Sequence, residues 1–542
     1  MRNVSNPFGN LQYDLPASIV VFLVALPLCL GIALASGAPI LAGIIAGIIG
    51  GIVIGSLSGS NLSVSGPAAG LISIVIAAIH DLGSYQAFLL AVMFGGILQF
   101  FLGVFRAGTI GAFFPSSVIR GMLAAIGLIL ILKQIPHALG YDKDYEGDET
   151  FIQQDGQNTF SEIINAASKV TPGAIIISLT AIIILILWDK PAIKKNKVLK
   201  FIPGPLIAVI VGIVLNTLFN QFSDGLALAQ EHLVSLQSVR NFSEFVGLFT
   251  LPDFSQVSNP LIYKVAVTLA LVASLESLLS IEAADKLDQF KRSTPLNREL
   301  RSQGIGNTIS GLLGGLPITA VIVRSSANIN AGARTKLSTI VHGTLLLSTV
   351  ILIPTVLNMI PLSALAAILL MTGYKLTSPS IYRDFFRKGW DQFLPFIITV
   401  LAILFTDLLV GIAVGMVVGL FFVVRSNIRG SHHHENGVDG NGNGRFSIFK
   451  KIKSAITIMK QGEKYLIKLN KDVSFLNRSV LRQTFERIPE GSTLVIDSEH
   501  AEYIDNDIRN TIDDFIQDAP SRNIAVTMKK EHGQLVKEHQ TH

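Results

Sequence analysis

The sequence predicts a polytopic α-helical membrane protein of fourteen apolar segments, with a small soluble α/β domain at its C-terminal end. Three observations carry this. Half of the 542 residues are hydrophobic and 15% are charged, against about 25% charged in soluble domains, and the mean hydropathy is +0.53. From Leu15 to Ile79 there is no Asp, Glu, Lys or Arg. Residues 431–542 hold 16 basic and 16 acidic residues, whereas residues 1–430 hold 27 and 22 and so carry all of the net +5. This composition excludes a large water-soluble enzyme, and it is far too apolar for disorder. The single cysteine, Cys29, excludes a disulfide framework and a thiolate metal cluster.

A membrane-crossing helix needs about 20 apolar residues. The first seven segments fall near 15–35, 40–57, 62–80, 84–103, 109–133, 171–188 and 203–220. Seven more follow near 262–284, 298–313, 316–331, 335–357, 361–374, 392–406 and 408–425. Sparse Lys and Arg before the first run, with no short core ending at a cleavage site, argue against a removed signal peptide. Loop charge sets the orientation, because cytoplasmic loops gather Lys and Arg. With the N-terminus inside, the loop after segment six is cytoplasmic and carries Lys190, Lys194, Lys195, Lys197 and Lys200. The loop after segment five is outside and acidic, with Asp142, Asp144, Glu146, Asp148, Glu149 and Asp155. Arg334, Lys336, Arg383, Arg387 and Lys388 fall on inner loops. Both termini are therefore expected in the cytoplasm. The pI near 9.1 reflects these loops and not a nucleic-acid surface.

Segments three and ten are interrupted, and they occupy matching places in the two halves. Segment three opens Asn61-Leu-Ser-Val-Ser-Gly-Pro-Ala-Ala-Gly70, and segment ten opens Gly314-Gly-Leu-Pro-Ile-Thr-Ala. Each reads as an extended stretch followed by a half-helix. Backbone of that kind is tolerated in lipid only where protein or a water-filled cavity satisfies it. Paired Gly/Pro-interrupted segments point to a transporter's midplane site. Two half-helix N-termini there would direct free N–H groups and positive dipole ends at an anion. The competing reading is that these glycines only allow close helix packing.

Ionisable residues within spans are costly and mark function. Arg324, followed by Ser325 and Ser326, lies in segment ten; Glu276 lies in segment eight, with Ser280 one turn further on the same face. Arg324 is expected to supply charge to an anion, and Glu276 to offset Arg324 or accept a coupling proton. The alternative is an Arg324–Glu276 ion pair that only holds two segments together. Arg106, Arg120 and Lys133 are expected to snorkel from span ends, and His80 and Asp81 read as a helix end. No phosphate-binding GxxxxGK[ST] is present, which argues against ATP-driven transport, and no catalytic constellation, cofactor motif or metal site is apparent. His432, His433 and His434 lie in a Gly/Asn-rich stretch that reads as a solvated linker.

The motifs resemble the sulfate permease family of anion transporters: Ala25-Leu-Pro-Leu28, Ser65-Gly-Pro-Ala68, Asn297-Arg-Glu-Leu-Arg-Ser-Gln-Gly-Ile-Gly-Asn307 and Ile329-Asn-Ala-Gly-Ala-Arg-Thr335, in that order. The resemblance implies a 7+7 inverted repeat with core and gate domains, usually dimeric, transporting by an elevator-like movement. It places the substrate between segments one, three, eight and ten, which makes Ser65, Gly66, Pro67, Ala68, Arg324, Ser325 and Ser326 the binding residues and Glu276 with Ser280 the coupling residues. Leu28 and Ile32 in segment one make the pocket apolar, with few donors for a dianion. The stretch Tyr13-Asp-Leu-Pro-Ala-Ser18 looks most like a bacterial branch associated with carbonic anhydrase, which implies the bacterial inner membrane and favours bicarbonate. Sulfate is the alternative substrate, a dicarboxylate the third, and a passive anion channel of the same fold or a membrane-tethered signalling protein the remaining readings. Coupling by exchange, protons or sodium stays open.

On this reading residues 1–429 form the membrane domain, 430–446 a linker, 447–530 a domain resembling STAS domains, and 531–542 a tail. Ala455-Ile-Thr-Ile458 and Lys464–Leu469 read as paired strands, Ser492–Asp497 as a buried strand and Asn506–Asp518 as an amphipathic helix. STAS domains of anti-sigma systems present a phosphorylatable serine before that helix. Here the stretch is Tyr503-Ile-Asp-Asn-Asp507, so a docking role with an unidentified cytoplasmic partner is expected instead.

Overall fold

The computed structural model describes residues 7–108, 114–143, 158–191, 202–222, 225–235, 249–290, 292–352, 354–406, 408–431, 456–461, 464–473, 477–529 and 535–536, with residues 193, 196, 199 and 247. The expected linker around His432–His434, most of the acidic outer loop and most of the 531–542 tail lie outside them.

The first apolar run is one long buried helix, α1 (Leu11–Ala35). α2 (Ile40–Ile49) continues through a π-helical turn at Gly50–Ile54 and ends at Leu57. Such single π turns recur at functional sites, and here Gly50 lies directly against the Ser65 carbonyl. Segment three is broken as expected: strand β1 (Ser65–Pro67), a 3-10 turn at Ala69–Leu71, then α3 (Ile72–Leu82), stopped by left-handed Gly83. The exposed His80 and Asp81 close that helix. α4 (Tyr85–Val104) starts where the Ser84 hydroxyl accepts from the Ala87 amide. α5 (Ser116–Leu139) begins later than expected because extended Pro115 precedes it, and left-handed Gly140 ends it.

An unexpected short helix, α6 (Thr159–Ser168), is nucleated by reciprocal capping between Asn158 and Ser161. It meets α7 (Pro172–Trp188) at 115°, and α8 (Gly204–Phe222) follows. α9 (Pro260–Leu287) opens with an Asn259 cap and Pro260 in its first turn. After α10 (Leu296–Leu313) comes the second broken segment, strand β2 (Ile318–Ala320) and short helix α11 (Ile322–Asn330). Then follow α12 (Leu337–Leu352), α13 (Leu362–Leu376), the amphipathic α14 (Pro379–Arg387), α15 (Trp390–Phe405) and α16 (Leu408–Ser431).

Each expected segment thus falls on a helix or on a strand with its following helix. Among the described residues, six helices are long and apolar enough to cross a membrane, and the bent α6–α7 pair makes a seventh. α3, α12, α15 and the apolar part of α16 are shorter. Lys133 differs from expectation: it is buried, with its ammonium 4.0 Å from the Glu162 carboxylate of α6. Arg120 likewise turns inward, donating to the Lys286 carbonyl.

The helices group into two bundles. α4 packs on α9 and α10, and α1 on α2, α11 and α12; α5 packs on α13 and α15, α7 on α8 and α13, and α15 on α16. The α4–α10 contact is backbone against backbone, since a Cβ on Gly304 would strike the Phe100 amide and one on Gly96 the Thr308 amide. Where the bundles meet, α1 and α11 touch α13, and α9 touches α5.

The C-terminal part is a small α/β domain. β3 (Ile456–Gln461), β4 (Lys464–Val473), β5 (Thr493–Ile504), β6 (Ala525–Lys529) and β7 (Leu535–Val536) form one sheet in that order. The β4–β5 and β5–β6 pairs are parallel and the two outer pairs antiparallel. Helices α17 (Arg478–Arg487) and α18 (Asn506–Asp518) cover it, burying Leu481, Phe485, Ile508 and Ile512 against Ile467 and Ile496. The expected strands and helix all lie here. The domain touches the C-terminal end of α9, where Arg482 donates to Glu282 at 2.8 Å, and the start of α5, where the Ser116 amide donates to Asp507 at 2.8 Å.

Candidate functional site

The two broken segments meet. β1 and β2 pair antiparallel, with Ser65 opposite Ala320, Gly66 opposite Thr319 and Pro67 opposite Ile318. Three-residue strands leave backbone groups beyond the ladder unpaired, and in a buried setting each needs a partner. Side chains supply them. The Asn307 amide donates to the Ile318 carbonyl at 2.9 Å and accepts from the Ile318 amide at 2.6 Å, acting as a further strand edge. Ser277 of α9 accepts from the Ala320 amide, Ser325 accepts from the Val64 amide, and Asn328 donates to the Leu62 carbonyl. Gln303 bridges Ser65 and Glu299, and Ser58 donates to the same carboxylate. With the ladder held this way, extended Ala68 and Val321 precede the two helical starts.

Arg324 occupies the third position of α11 and is fully buried. Its guanidinium lies on Gly66: a Cβ there would overlap Nη1. Among the described residues none of its three nitrogens meets an oxygen acceptor, and the weakly accepting Cys29 thiol is the group it lies against. The Cys29 thiol and the His342 imidazole are both within its electrostatic reach. A buried, uncompensated charge costs several kcal/mol. No Arg324 nitrogen donates a hydrogen bond to Glu276.

Glu276 is buried beside the start of segment three's helical part, where a Cβ on Gly70 would lie 3.1 Å from Oε1. Ser280 is buried one turn along α9. Leu28 packs in the cluster that contains Val323, Ala327 and Leu279, and Ile32 in the one that contains Ala68, Leu71 and Ala273. α1 packs on α11 and also touches β1. Ser325 and Ser326 are buried with their hydroxyls engaged on the Val321 and Val323 carbonyls. The structure thus gathers Ser65, Gly66 and Arg324 at one point, and Glu276 with Gly70 at another.

Several site-building residues carry no role in the sequence reading. Asp14 of α1 accepts from the Arg334 and Thr335 amides and the Thr335 hydroxyl, fixing the turn after α11, while the Arg334 guanidinium stacks 3.5 Å above the Tyr13 ring. Gln303 and Asn307 are the other two. Their signal was polarity at buried positions of an apolar chain. His342 meets the criterion that singles out Glu276, an ionisable residue inside a span.

A cavity of about 390 Å³ lies between the bundles, lined by Tyr13 and Val20 of α1, Ala327 at the end of α11, Trp188 of α7 and Lys375 of α13. The Lys375 ammonium pairs with Asp189 at 2.9 Å within it.

Beyond the end of α5, Asp142 joins two chain segments, His137 Nδ1 and His232 Nδ1 each lying 2.6 Å from one of its oxygens. Burial raises the Asp142 pKa, but the two histidine hydrogen bonds and ring charges outweigh it and the net shift is downward. His232 is raised, chiefly by its bond to Asp142.

Two broken segments joined through β1 and β2, a fully buried arginine and a cavity between two helical bundles fit a polytopic membrane transporter. The sulfate permease family profile matches residues 11–399, and the chain belongs to that family of anion transporters, whose members are not enzymes. It is 29% identical over 415 residues to the putative sulfate transporter YvdB of Bacillus subtilis, covering 76% of this chain and 74% of that protein. It is 27% identical to the bicarbonate transporter BicA of Picosynechococcus, covering 76% and 70%. The fold matches the transmembrane domain of a cyanobacterial BicA with a TM-score of 0.53 at 24% identity, over 76% of this chain and 98% of that one. It also matches SLC26A9 with a TM-score of 0.55 at 15% identity, over 96% and 84%.

Proposed function

We propose that this chain is a secondary-active transporter of a small inorganic anion, with bicarbonate the favoured substrate. The observation that carries the reading is the buried Arg324 guanidinium, unpaired beside the crossing of the two broken segments. One fixed positive charge offsets one monoanion, and the Leu28–Ile32 face adds no donors that a dianion would need. Similarity to BicA supports the same substrate.

The working cycle is an elevator-like displacement of the bundle holding α1, α9 and the half-helices against the bundle of α5, α7, α8, α13, α15 and α16. The fourteen segments form a 7+7 inverted repeat with both termini in the cytoplasm of a bacterial inner membrane. On that orientation the cavity beside Trp188 and Lys375 is the inward entrance. Ser65 to Ala68 and Arg324 to Ser326 bind the anion, and Glu276 with Ser280 carries the coupling. The C-terminal domain is a STAS domain, and the transporter works as a homodimer.

Sulfate is the second reading, supported by the similarity to YvdB. Uptake of labelled bicarbonate and of labelled sulfate by proteoliposomes, with and without sodium or pH gradients, separates them. Saturable, trans-stimulated bicarbonate uptake is the expected result. Sulfate uptake alone replaces the substrate, and linear, non-saturating flux replaces the transporter with a channel.

A further inference from the structure

α12 carries His342 into the interior of the first bundle. The helix approaches α2 backbone to backbone, because Gly51 and Gly343 meet with no room for a Cβ on either. Leu346, one turn after His342 on the same face, lies against Gly47 near the Cys29 thiol. His342 is therefore turned toward α1 and α2, and it is fully buried.

Neither ring nitrogen has a hydrogen-bond partner. A neutral imidazole has one donor and one acceptor, and leaving them unmet in a dry interior costs about 1–3 kcal/mol each. The Arg324 guanidinium, which meets no oxygen acceptor, is tied to this helix through α2: Gly343 lies on Gly51, the adjacent Gly50 lies on Ser65 and Gly66, and Arg324 lies on Gly66. A donor-rich guanidinium and an imidazole with one donor and one acceptor thus face a region in which Cys29 offers only a weak sulfur acceptor. Between them they specify a compact ligand bearing several acceptor oxygens and a negative charge.

We propose that His342 is a further anion-binding residue, which together with Arg324 holds a small oxyanion inside the first bundle. Arg324 supplies the charge and His342 a directional hydrogen bond from the opposite element. Facing the unprotonated nitrogen instead, a hydroxyl-bearing oxyanion can donate to it, whereas a fully deprotonated one can only accept from the N–H. The inference rests on the anion-transport reading and extends it to α12.

The test uses the full chain in proteoliposomes, with labelled bicarbonate and labelled sulfate as probes. The His342→Leu protein is expected to transport with KM raised about tenfold and the maximal rate within about twofold, which is the loss of one hydrogen bond to a charged ligand. His342→Gln is expected to recover most of the affinity. Cys29, the only thiol in the chain, gives a second reading: the transported anion should slow its alkylation by N-ethylmaleimide, and His342→Leu should need about ten times more anion for equal protection. Anion-induced stabilisation in thermal unfolding checks that both variants are folded. A folded His342→Leu protein with unchanged KM and unchanged Cys29 protection overturns the role of His342 alone. No saturable uptake of either anion by the unaltered chain overturns both it and the function on which it rests.

Discussion

Arg324 rests on Gly66: the guanidinium of one broken segment meets the backbone of the other through Nη1, and the missing side chain at Gly66 is the space it fills. The relationship ties the geometry of the site to its charge. A methyl group at position 66 overlaps Nη1 and must push either the guanidinium or strand β1 aside. Gly66→Ala is expected to lower stability by about 1–3 kcal/mol, the usual range for overpacking, and to abolish uptake. Thermal unfolding and transport measured on the same preparation check both effects, and normal uptake would show that the guanidinium can relocate freely.

Arg324→Gln removes the charge while keeping much of the shape. Anion binding is expected to fall by about a hundredfold or more, in line with losing charge-assisted hydrogen bonds worth about 1.5–3 kcal/mol each. The apo protein should become more stable, because an uncompensated buried charge has been removed. Opposite changes in anion affinity and apo stability are the signature, read by anion titration and by unfolding without anion.

Glu276 sits at the start of the helical part of segment three, apart from Arg324. If its carboxylate carries the coupling proton, Glu276→Gln should retain anion binding while uptake loses its response to an imposed pH gradient. Equal loss of binding and coupling would place Glu276 in the anion site instead.

Asn307 substitutes for a strand, meeting both backbone groups of Ile318 and also donating to Gln99. Asn307→Leu leaves these groups buried and unmet, at a cost of about 2–5 kcal/mol. Hydrogen exchange at Ile318 and its β1 partner Pro67's neighbours should accelerate before global unfolding. Unchanged exchange there would show that the ladder holds without the amide.

The Asp142 cluster gives stability a pH window. His232 is raised above its ordinary value, so its contribution is complete below about pH 6.5 and is lost as pH rises through its folded pKa. Asp142 is lowered, so its contribution is complete above about pH 4 and is lost as pH falls through its folded pKa. The tie between the outer loops is therefore strongest between these limits. His232→Ala should flatten the alkaline side of the Tm–pH curve and leave the other variants' transport defects unaltered in kind. An unchanged alkaline limb would remove His232 from the account.

Much of this protein is legible in its sequence because hydrophobic burial and backbone satisfaction act locally. Charge-free runs announce apolar segments, and Gly and Pro near the starts of segments three and ten announce backbone that cannot continue as helix. Capping residues such as Ser84 and Asn259, and the alternating strands after Ile456, are equally local. Arg324 and Glu276 stand out because ionisable groups are rare in such surroundings. Tertiary structure alone decided their partners. That Arg324 lies on Gly66 and near His342, that Asp14 secures the turn at Arg334, and that Asn307 completes the β1–β2 ladder all depend on packing between residues far apart in the chain. The sequence determines which groups must be buried; only the packed fold determines which of them find partners, and Arg324 and His342 are among the buried groups that find no oxygen partner.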